Sequence, residues 1–133
     1  MKYDIVIIGS GPGGHVAAFK AVKRGKKVAV VERAELGGVC LNWGCIPTKA
    51  MLKSAQVYHY LESAASYGID FEGTVKPSLD KIVARSRGVA EQMNKGIAFM
   101  FKKLGIDVVE GFGRIAAQGV VEVTKSDGVV ERV

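Results

Sequence analysis

The stretch Tyr3-Asp4-Ile5-Val6-Ile7-Ile8-Gly9-Ser10-Gly11-Pro12-Gly13-Gly14 carries the strongest indication of the fold. Its β-branched apolar run, Tyr3 to Ile8, is typical of a strand buried on both faces. The glycines follow at once, and small apolar residues from Val16 predict a helix that ends near Gly25. Lys27 to Val31 predicts a second strand, which Glu32 closes. Strand, glycine turn, helix and strand form a βαβ unit, which predicts an α/β fold with a parallel sheet.

The glycine spacing indicates dinucleotide binding. Gly9 permits a tight turn out of the strand, Gly11 lets the backbone approach a pyrophosphate, and Gly14 permits close packing of helix on strand. The following helix N-terminus presents unpaired N–H groups to phosphates. Glu32 stands where an acid accepts hydrogen bonds from a ribose hydroxyl, which favours FAD or NAD over NADP.

A second glycine match, Gly111-Phe112-Gly113-Arg114-Ile115-Ala116, follows the strand-like residues 106–109. What comes next is β-like, with Val120 to Thr124, the turn signal Asp127-Gly128, and then residues 129–133. Because no helix follows to present its N-terminus, we predict a glycine turn into a small β meander.

Two helices are predicted between these ends. The first begins near Pro47, and the second begins at Ser78 and ends before Gly105, with the connecting loop over residues 67–76. Both carry apolar stripes at helical spacing, which we predict to be core. The first stripe is Met51, Ala55, Tyr58, Leu61 and Ala65, and the second is Ile82, Val89, Met93, Ile97, Met100 and Leu104.

Both cysteines of the chain lie in Gly37-Gly38-Val39-Cys40-Leu41-Asn42-Trp43-Gly44-Cys45-Ile46-Pro47-Thr48-Lys49, in front of the first of these helices. A Cys40–Cys45 bridge closes a loop of about six residues and contributes only about 2 kcal/mol by chain entropy. Stabilisation is therefore a poor reason for it. Local bridges tend to be labile and catalytic, and a helix N-terminus favours a reactive thiolate. The pair predicts a redox dithiol.

Composition limits the classes of partner. The chain has 133 residues, of which 48% are apolar, and a net charge of +6. Its basic residues are scattered, which favours a solvated face over nucleic-acid binding. No apolar stretch is long enough for a signal peptide or a bilayer span, so we expect no membrane association and a cytoplasmic, reducing location. There, a disulfide is more often chemical than structural.

The histidines offer little to a metal or catalytic site. The C-x₄-C spacing is compatible with zinc, but four ligands are needed, and His15 and His59 form no paired motif, so we predict no metal site. His15 follows the glycine turn and could bind a phosphate, although a helix-start surface position is the commoner alternative. His59 is predicted to have a structural or surface role.

The glycine turn, Glu32 and above all residues 37–49 resemble the FAD-dependent pyridine nucleotide-disulfide oxidoreductases, most closely the dihydrolipoamide dehydrogenases among them. The stretches Arg85-Ser86-Arg87 and Lys95-Gly96-Ile97 are similar too, whereas His15 and Trp43 depart from the residues usual at their positions. The resemblance implies a Rossmann-like three-layer FAD-binding fold of parallel sheet, helices and small β meander, which is incomplete here. Residues 1–133 would be the N-terminal part of the FAD-binding domain, without the NAD-binding and C-terminal interface domains.

The resemblance also implies roles for individual residues. Cys45 matches the thiolate that lies against the flavin, Cys40 the more accessible thiol that exchanges with substrate, and Lys49 the lysine beside flavin N5; these three are the expected catalytic residues. The residues expected to bind FAD are Gly9, Gly11, Gly13, Gly14, Glu32, Arg33, Gly37, Gly38, Val39, Cys40, Lys49 and Gly113. Neither histidine matches the family's base, which a His–Glu pair of the partner subunit supplies.

For the parent enzyme, the resemblance implies a homodimer that oxidises dihydrolipoamide with NAD. The substrate would be carried by the lipoyl domain of a 2-oxoacid dehydrogenase or glycine cleavage complex, and turnover by this chain alone is not expected. Two alternatives remain. One is a glutathione- or mercuric-type flavin disulfide reductase, and the other is a dinucleotide-binding module without redox chemistry.

Overall fold

The structure, a computed structural model, describes residues 2–133 and contains a parallel and an antiparallel sheet together with four α-helices. The elements in chain order are β1 (Ile5–Ile8), α1 (Pro12–Val22), β2 (Val28–Glu32), α2 (Gly38–Asn42), α3 (Cys45–Glu62), a 3₁₀ turn (Ala64–Tyr67), α4 (Leu79–Leu104), β3 (Asp107–Glu110), β4 (Phe112–Ala117), β5 (Val120–Thr124) and β6 (Val130–Arg132).

The two sheets follow the predicted pattern. Strands β1, β2 and β3 form a parallel sheet in that order, with Ile5 opposite Val28 and Ala29 opposite Asp107. Strands β4, β5 and β6 form an antiparallel meander. The βαβ unit and the glycine turn into a meander are therefore confirmed.

The molecule has three layers, and the parallel sheet with β2 at its centre is the middle one. The side chains of β2 alternate between the two faces of the sheet, and Val28 and Val30 pack with α1 and α4 in a core completed by Ala18, Phe101 and Ile106. On the opposite face, β4 lies so close that a Cβ built on Gly113 would be 2.9 Å from Val31. Helices, parallel sheet and meander thus form the three layers of a Rossmann-like α/β fold.

The prediction that the first strand is buried on both faces is wrong. Ile5 and Ile8 are 38% and 45% exposed, because among the described residues β1 pairs only with β2 and forms an edge of the sheet. The central strand β2 is the one enclosed on both sides, with residues 28–31 buried.

The predicted apolar stripes are also less buried than expected. In α3, Met51 and Leu61 are each 37% exposed, because the main neighbours of this helix are α2 and α4 and its remaining sides face outward. In α4, four stripe residues are half-buried and the two methionines are exposed. The fully buried residues of α4 are instead Ser86, Ala90 and Phe101.

The predicted helix ends are close to the observed ones. Ser78 occupies the N-cap position of α4, although its side chain makes no capping hydrogen bond, and Gly105 ends the helix at φ +66°. None of the helices described for residues 2–133 combines the length and apolar character that a bilayer span requires.

Candidate functional site

The glycine turn between β1 and α1 is tightly packed. Gly9 has φ +94°, and a Cβ on Gly14 would lie 1.9 Å from the Gly9 carbonyl oxygen. Gly14 therefore permits the close helix-to-strand packing that the spacing predicts. By contrast, Gly11 and Gly13 have open space where a side chain would be, so their backbone is accessible to a ligand at the start of α1.

A second glycine pair brings the cysteine segment against this turn. Gly37 has φ +94°, and a Cβ on Gly38 would lie 2.7 Å from Gly11 Cα. The two glycine-rich segments therefore meet backbone to backbone, at a separation that any side chain at position 38 would widen. Because Cys40 lies two residues beyond this contact, the fold places the dithiol beside the candidate dinucleotide turn.

Ser10 links three segments and was not identified as a functional residue from the sequence. Its fully buried hydroxyl donates a 2.6 Å hydrogen bond to Glu32 Oε2 and accepts a 3.0 Å hydrogen bond from the Gly37 backbone N–H. Its backbone N–H donates to Glu32 Oε2 at 2.9 Å. The one available signal was a polar side chain between two glycines of the turn.

The Glu32 carboxylate is held by the chain itself. Its Oε1 accepts hydrogen bonds from the backbone N–H groups of Arg33 and Ala34, at 2.9 and 3.1 Å, and its Oε2 accepts both bonds from Ser10. Partial burial alone would raise the pKa of this carboxyl, but the four donated hydrogen bonds outweigh it and lower the pKa below its ordinary value. Glu32 is therefore a fixed negative charge at the end of β2.

Four of the predicted cofactor residues share one cavity. It measures about 220 Å³ and is lined by Gly9, Glu32, Arg33 and Gly113, together with Ile8, Val31, Gly111 and Phe112. Glycine is needed at position 113 for packing as well, since a Cβ there would crowd Val31 and Ile8. Open glycine backbone beside a fixed carboxylate has the donor and acceptor set that a dinucleotide requires, so these residues fit such a cofactor.

The cysteines form a disulfide. Cys40 lies in α2 and Cys45 is the first residue of α3, with their Cα atoms 4.8 Å apart. Cys45 is exposed, and Cys40 is half-buried. Cys40 lies beneath α4, whereas Cys45 begins a helix at the surface.

An apolar cavity of about 540 Å³ borders Cys40. Its apolar side chains include Phe19, Leu41, Ile46, Met93, Ile97 and Met100. The described residues that line it include no Asp, Glu, Lys or Arg, and its polar side chains are those of His15 and Cys40. The half-buried cysteine therefore faces a space that no carboxylate, lysine or arginine side chain lines.

Two further predicted residues lie at the surface near the dithiol. Lys49 is exposed and follows Cys45 by one turn of α3, so the two share a helix face. Val39 is exposed in α2. Neither residue lines the apolar cavity that borders Cys40.

The asparagine between the cysteines is a second residue that the sequence did not single out. Asn42 is buried, and its Nδ2 donates to the carbonyl oxygens of Leu36 and Gly38, at 2.8 and 3.0 Å. These bonds tie the end of α2 to the segment that precedes it. A buried amide within so short a loop holds the shape of the dithiol segment.

The histidines have local partners. His15 Nδ1 lies 3.1 Å from the Ser10 carbonyl oxygen, and His59 Nδ1 lies 3.3 Å from Glu62 on the surface of α3. Residues 2–133 contain no group of three or more His, Cys, Asp or Glu side chains that could hold a metal ion.

Comparison with known proteins identifies the family. The pyridine nucleotide-disulphide oxidoreductase family matches residues 3–131. A dihydrolipoyl dehydrogenase of Rhizobium etli is 48% identical over 125 residues, which cover 94% of this chain and 26% of that protein. One from Acholeplasma laidlawii is 48% identical over 122 residues, covering 92% of the chain and 36% of that protein.

A third relative, the dihydrolipoyl dehydrogenase of Zymomonas mobilis, is 46% identical over 129 residues, covering 94% of this chain and 27% of that protein. The chain spans between 26% and 36% of the length of these relatives. With the family match over nearly its whole length, a glycine turn packed on a disulfide segment and a three-layer fold, the chain belongs to the pyridine nucleotide-disulphide oxidoreductase family.

Proposed function

We propose that the chain is the FAD-binding and redox-dithiol part of an oxidoreductase that oxidises dihydrolipoamide with NAD. The observation that carries the proposal is the Cys40–Cys45 disulfide, whose half-buried member borders an apolar cavity with no Asp, Glu, Lys or Arg in its lining. A dinucleotide-binding module without redox chemistry would have no use for this arrangement. The names of the relatives agree with the proposal.

The residues that would hold FAD lie around the contact of Gly14 with Gly9 and the contact of Gly38 with Gly11. The backbone of Gly11 and Gly13 would meet the pyrophosphate, and Glu32 would accept hydrogen bonds from the ribose, in exchange for one of its present donors. The other residues proposed to line the site are Gly9, Gly14, Arg33, Gly37, Gly38, Val39, Cys40, Lys49 and Gly113. When bound, the flavin supplies two-electron chemistry that links the dithiol to NAD.

The dithiol step is an exchange at sulfur. A thiolate of dihydrolipoamide attacks Cys40 Sγ, which breaks the Cys40–Cys45 bond and releases Cys45 as a thiolate. The second substrate thiolate then displaces Cys40 and closes the lipoamide ring. Two electrons pass to the protein, which ends as a dithiol, while the substrate ends as a disulfide.

The N-terminus of α3 favours this direction of cleavage. Cys45 is the first residue of that helix, where unpaired N–H groups and the helix dipole stabilise an anion. Cys45 is therefore the better leaving group of the two cysteines, and Cys40 is the better target for substrate. Lys49, one turn further along α3, adds a positive charge on the same face, where it would stabilise electron density on a reduced ring.

The cavity favours dihydrolipoamide over glutathione. The lipoyl arm is an aliphatic chain that gains free energy from burial against side chains such as Met93 and Ile97. Glutathione carries carboxylates and an ammonium group, which would be desolvated here without a charged partner. The same reasoning favours an apolar dithiol over a metal-ion substrate. As in the parent enzymes that the resemblance implies, we propose a homodimer that receives its substrate from a lipoyl domain.

Reduction kinetics of the disulfide test this proposal. The purified chain is mixed with dihydrolipoamide, dithiothreitol or glutathione at equal thiolate concentration, and freed thiols are alkylated and counted by mass spectrometry. Dithiothreitol is the matched control, since it is a dithiol without an apolar arm. We expect dihydrolipoamide to react at least tenfold faster and to saturate. Equal, unsaturated rates for the two dithiols would remove the support for dihydrolipoamide.

A further inference from the structure

Asn94, in the middle of α4, contacts the segment that carries the first cysteine. Its Nδ2 donates a 2.7 Å hydrogen bond to the Leu36 carbonyl oxygen and lies 3.4 Å from both Asn42 Oδ1 and Glu35 Oε2. Asn94 is separated from Asn42 by 52 positions in the chain, so the long helix reaches across to the short loop between the cysteines.

The Leu36 carbonyl is the shared acceptor of this contact. It receives one hydrogen bond from Asn94 and one from Asn42, at 2.7 and 2.8 Å, which occupy both of its lone pairs. Asn42 itself lies two residues after Cys40 and three before Cys45. The carbonyl therefore joins α4 to the dithiol loop through two side-chain amides.

The next turn of α4 reinforces this attachment. Ile97 is on the same helix face as Asn94, and a Cβ on Gly37 would lie 3.2 Å from Ile97 Cδ1. The hydrogen bond of Asn94 and the close approach of Ile97 to Gly37 thus hold residues 36–42 against α4. Since α4 also contributes Phe101 to the core, the loop is attached to a part of the molecule that is itself well anchored.

We propose that Asn94 is a positioning residue. By holding the dithiol segment in place, Asn94 sets how readily Cys40 and Cys45 form their disulfide. Closing the bridge from the dithiol releases two electrons and two protons, and its equilibrium rises with the effective concentration of one thiol at the other. By restraining α2 against α4 in the reduced chain, Asn94 keeps Cys40 near Cys45. The inference rests on the proposed function only in taking this dithiol as the redox centre.

The test is a redox equilibrium of the chain in buffers of reduced and oxidised dithiothreitol, with no flavin and no lipoamide. Replacement of Asn94 by alanine removes the amide, yet leaves the Leu36 carbonyl its bond from Asn42 and favours the helix. We expect Asn94→Ala to be about tenfold easier to reduce, equivalent to about 30 mV. Asn94→Gln, which keeps the donor, should recover part of the shift.

Lys95→Gln is the matched control, because Lys95 is the next residue of α4 and pairs with Glu91 on the exposed surface. The dithiol–disulfide equilibrium constant of Lys95→Gln should stay within twofold of the wild-type value. Melting temperatures of all variants separate a positioning role from a purely structural one. If Asn94→Ala melts lower but keeps the wild-type equilibrium, or if Lys95→Gln shifts equally, the proposal is overturned. Should the alanine variant not fold, Asn94→Ser carries the same comparison.

This outcome is independent of the substrate assignment. A chain that reacts no faster with dihydrolipoamide than with dithiothreitol can still show the Asn94 shift, and a chain that prefers dihydrolipoamide can lack it. The kinetic and the equilibrium measurements therefore fail separately.

Discussion

The Ser10 hydroxyl donates to Glu32 at 2.6 Å while it accepts from the Gly37 backbone N–H at 3.0 Å. One buried side chain therefore joins the glycine turn, the end of β2 and the segment leading to the dithiol. The two proposed halves of the site, for the dinucleotide and for disulfide exchange, are fixed relative to each other through this oxygen atom.

Replacing Ser10 by alanine should destabilise the protein. The change removes a hydrogen bond to a charged acceptor and leaves the buried Gly37 N–H without its partner, which together cost about 3 kcal/mol. Urea unfolding measures the loss. Ser126→Ala, at an exposed turn, is the control and should change the free energy of unfolding by less than about 0.5 kcal/mol. Similar losses in both variants would contradict the role of Ser10.

Glu32 should make stability depend on pH. Hydrogen bonds lower its pKa in the folded protein, so the unfolded chain binds the proton more readily in acid. The stability that Glu32 contributes is present above its ordinary pKa of 4.5 and is lost as pH falls through the lower folded value. The gap in free energy of unfolding between wild type and Glu32→Gln should narrow below about pH 4.5.

The control for this pH dependence is Glu72→Gln, a change in the exposed loop before α4. Its unfolding free energy should follow the wild type at every pH between neutral and acid. A gap between wild type and Glu32→Gln that stays constant over that range would show that the carboxylate is not held as described.

Alanine substitutions at two neighbouring glycines of α1 should have different effects on the free energy of unfolding. A Cβ at Gly14 would collide with the Gly9 carbonyl oxygen, a backbone atom, so Gly14→Ala should cost about 3 kcal/mol or more. Gly13 has open space, and alanine is better than glycine in a helix, so Gly13→Ala should leave the free energy of unfolding unchanged or raise it by up to about 1 kcal/mol. Thermal unfolding compares them, and equal effects would refute the described turn.

A charge introduced beside Cys40 should change substrate preference. Met93 lines the apolar cavity but is partly exposed, so Met93→Lys can fold with its ammonium at the cavity mouth. The rate of reduction by dihydrolipoamide, relative to dithiothreitol, should fall several-fold. Phe99→Lys, at an exposed position of the same helix outside the cavity lining, should keep the wild-type ratio. If both ratios are unchanged, substrate does not use this cavity.

Local patterns predicted the fold well. The βαβ unit, the glycine turn and the meander depend on residues adjacent in the chain, so the strand and glycine patterns of residues 3–32 and 106–133 sufficed. Helical periodicity, however, indicates which residues share a face and not what covers that face. The stripe from Met51 to Ala65 is therefore predicted to be core, although α3, which carries it as far as Leu61, has neighbours on only part of its surface.

The sequence predicts individual residues of the site but not the contacts between its segments. Gly38 and the cysteines were identified from their own segment, whereas the contact between Gly38 and Gly11 exists only in the folded chain. The bonds of Ser10 to residues 32 and 37, and of Asn94 to residues 36 and 42, join distant segments through ordinary polar side chains. No spacing rule marks such residues, so they were missed.

The most direct test of a dithiol held against a flavin site is a visible absorption spectrum of the chain with saturating FAD, recorded before and after mild reduction. We expect a bound-flavin spectrum that gains a long-wavelength thiolate-to-flavin band on reduction, and we expect Cys45→Ser to bind FAD without this band. With FAD bound, the absence of this band in the reduced chain, or a band of equal strength in Cys45→Ser, would contradict the account.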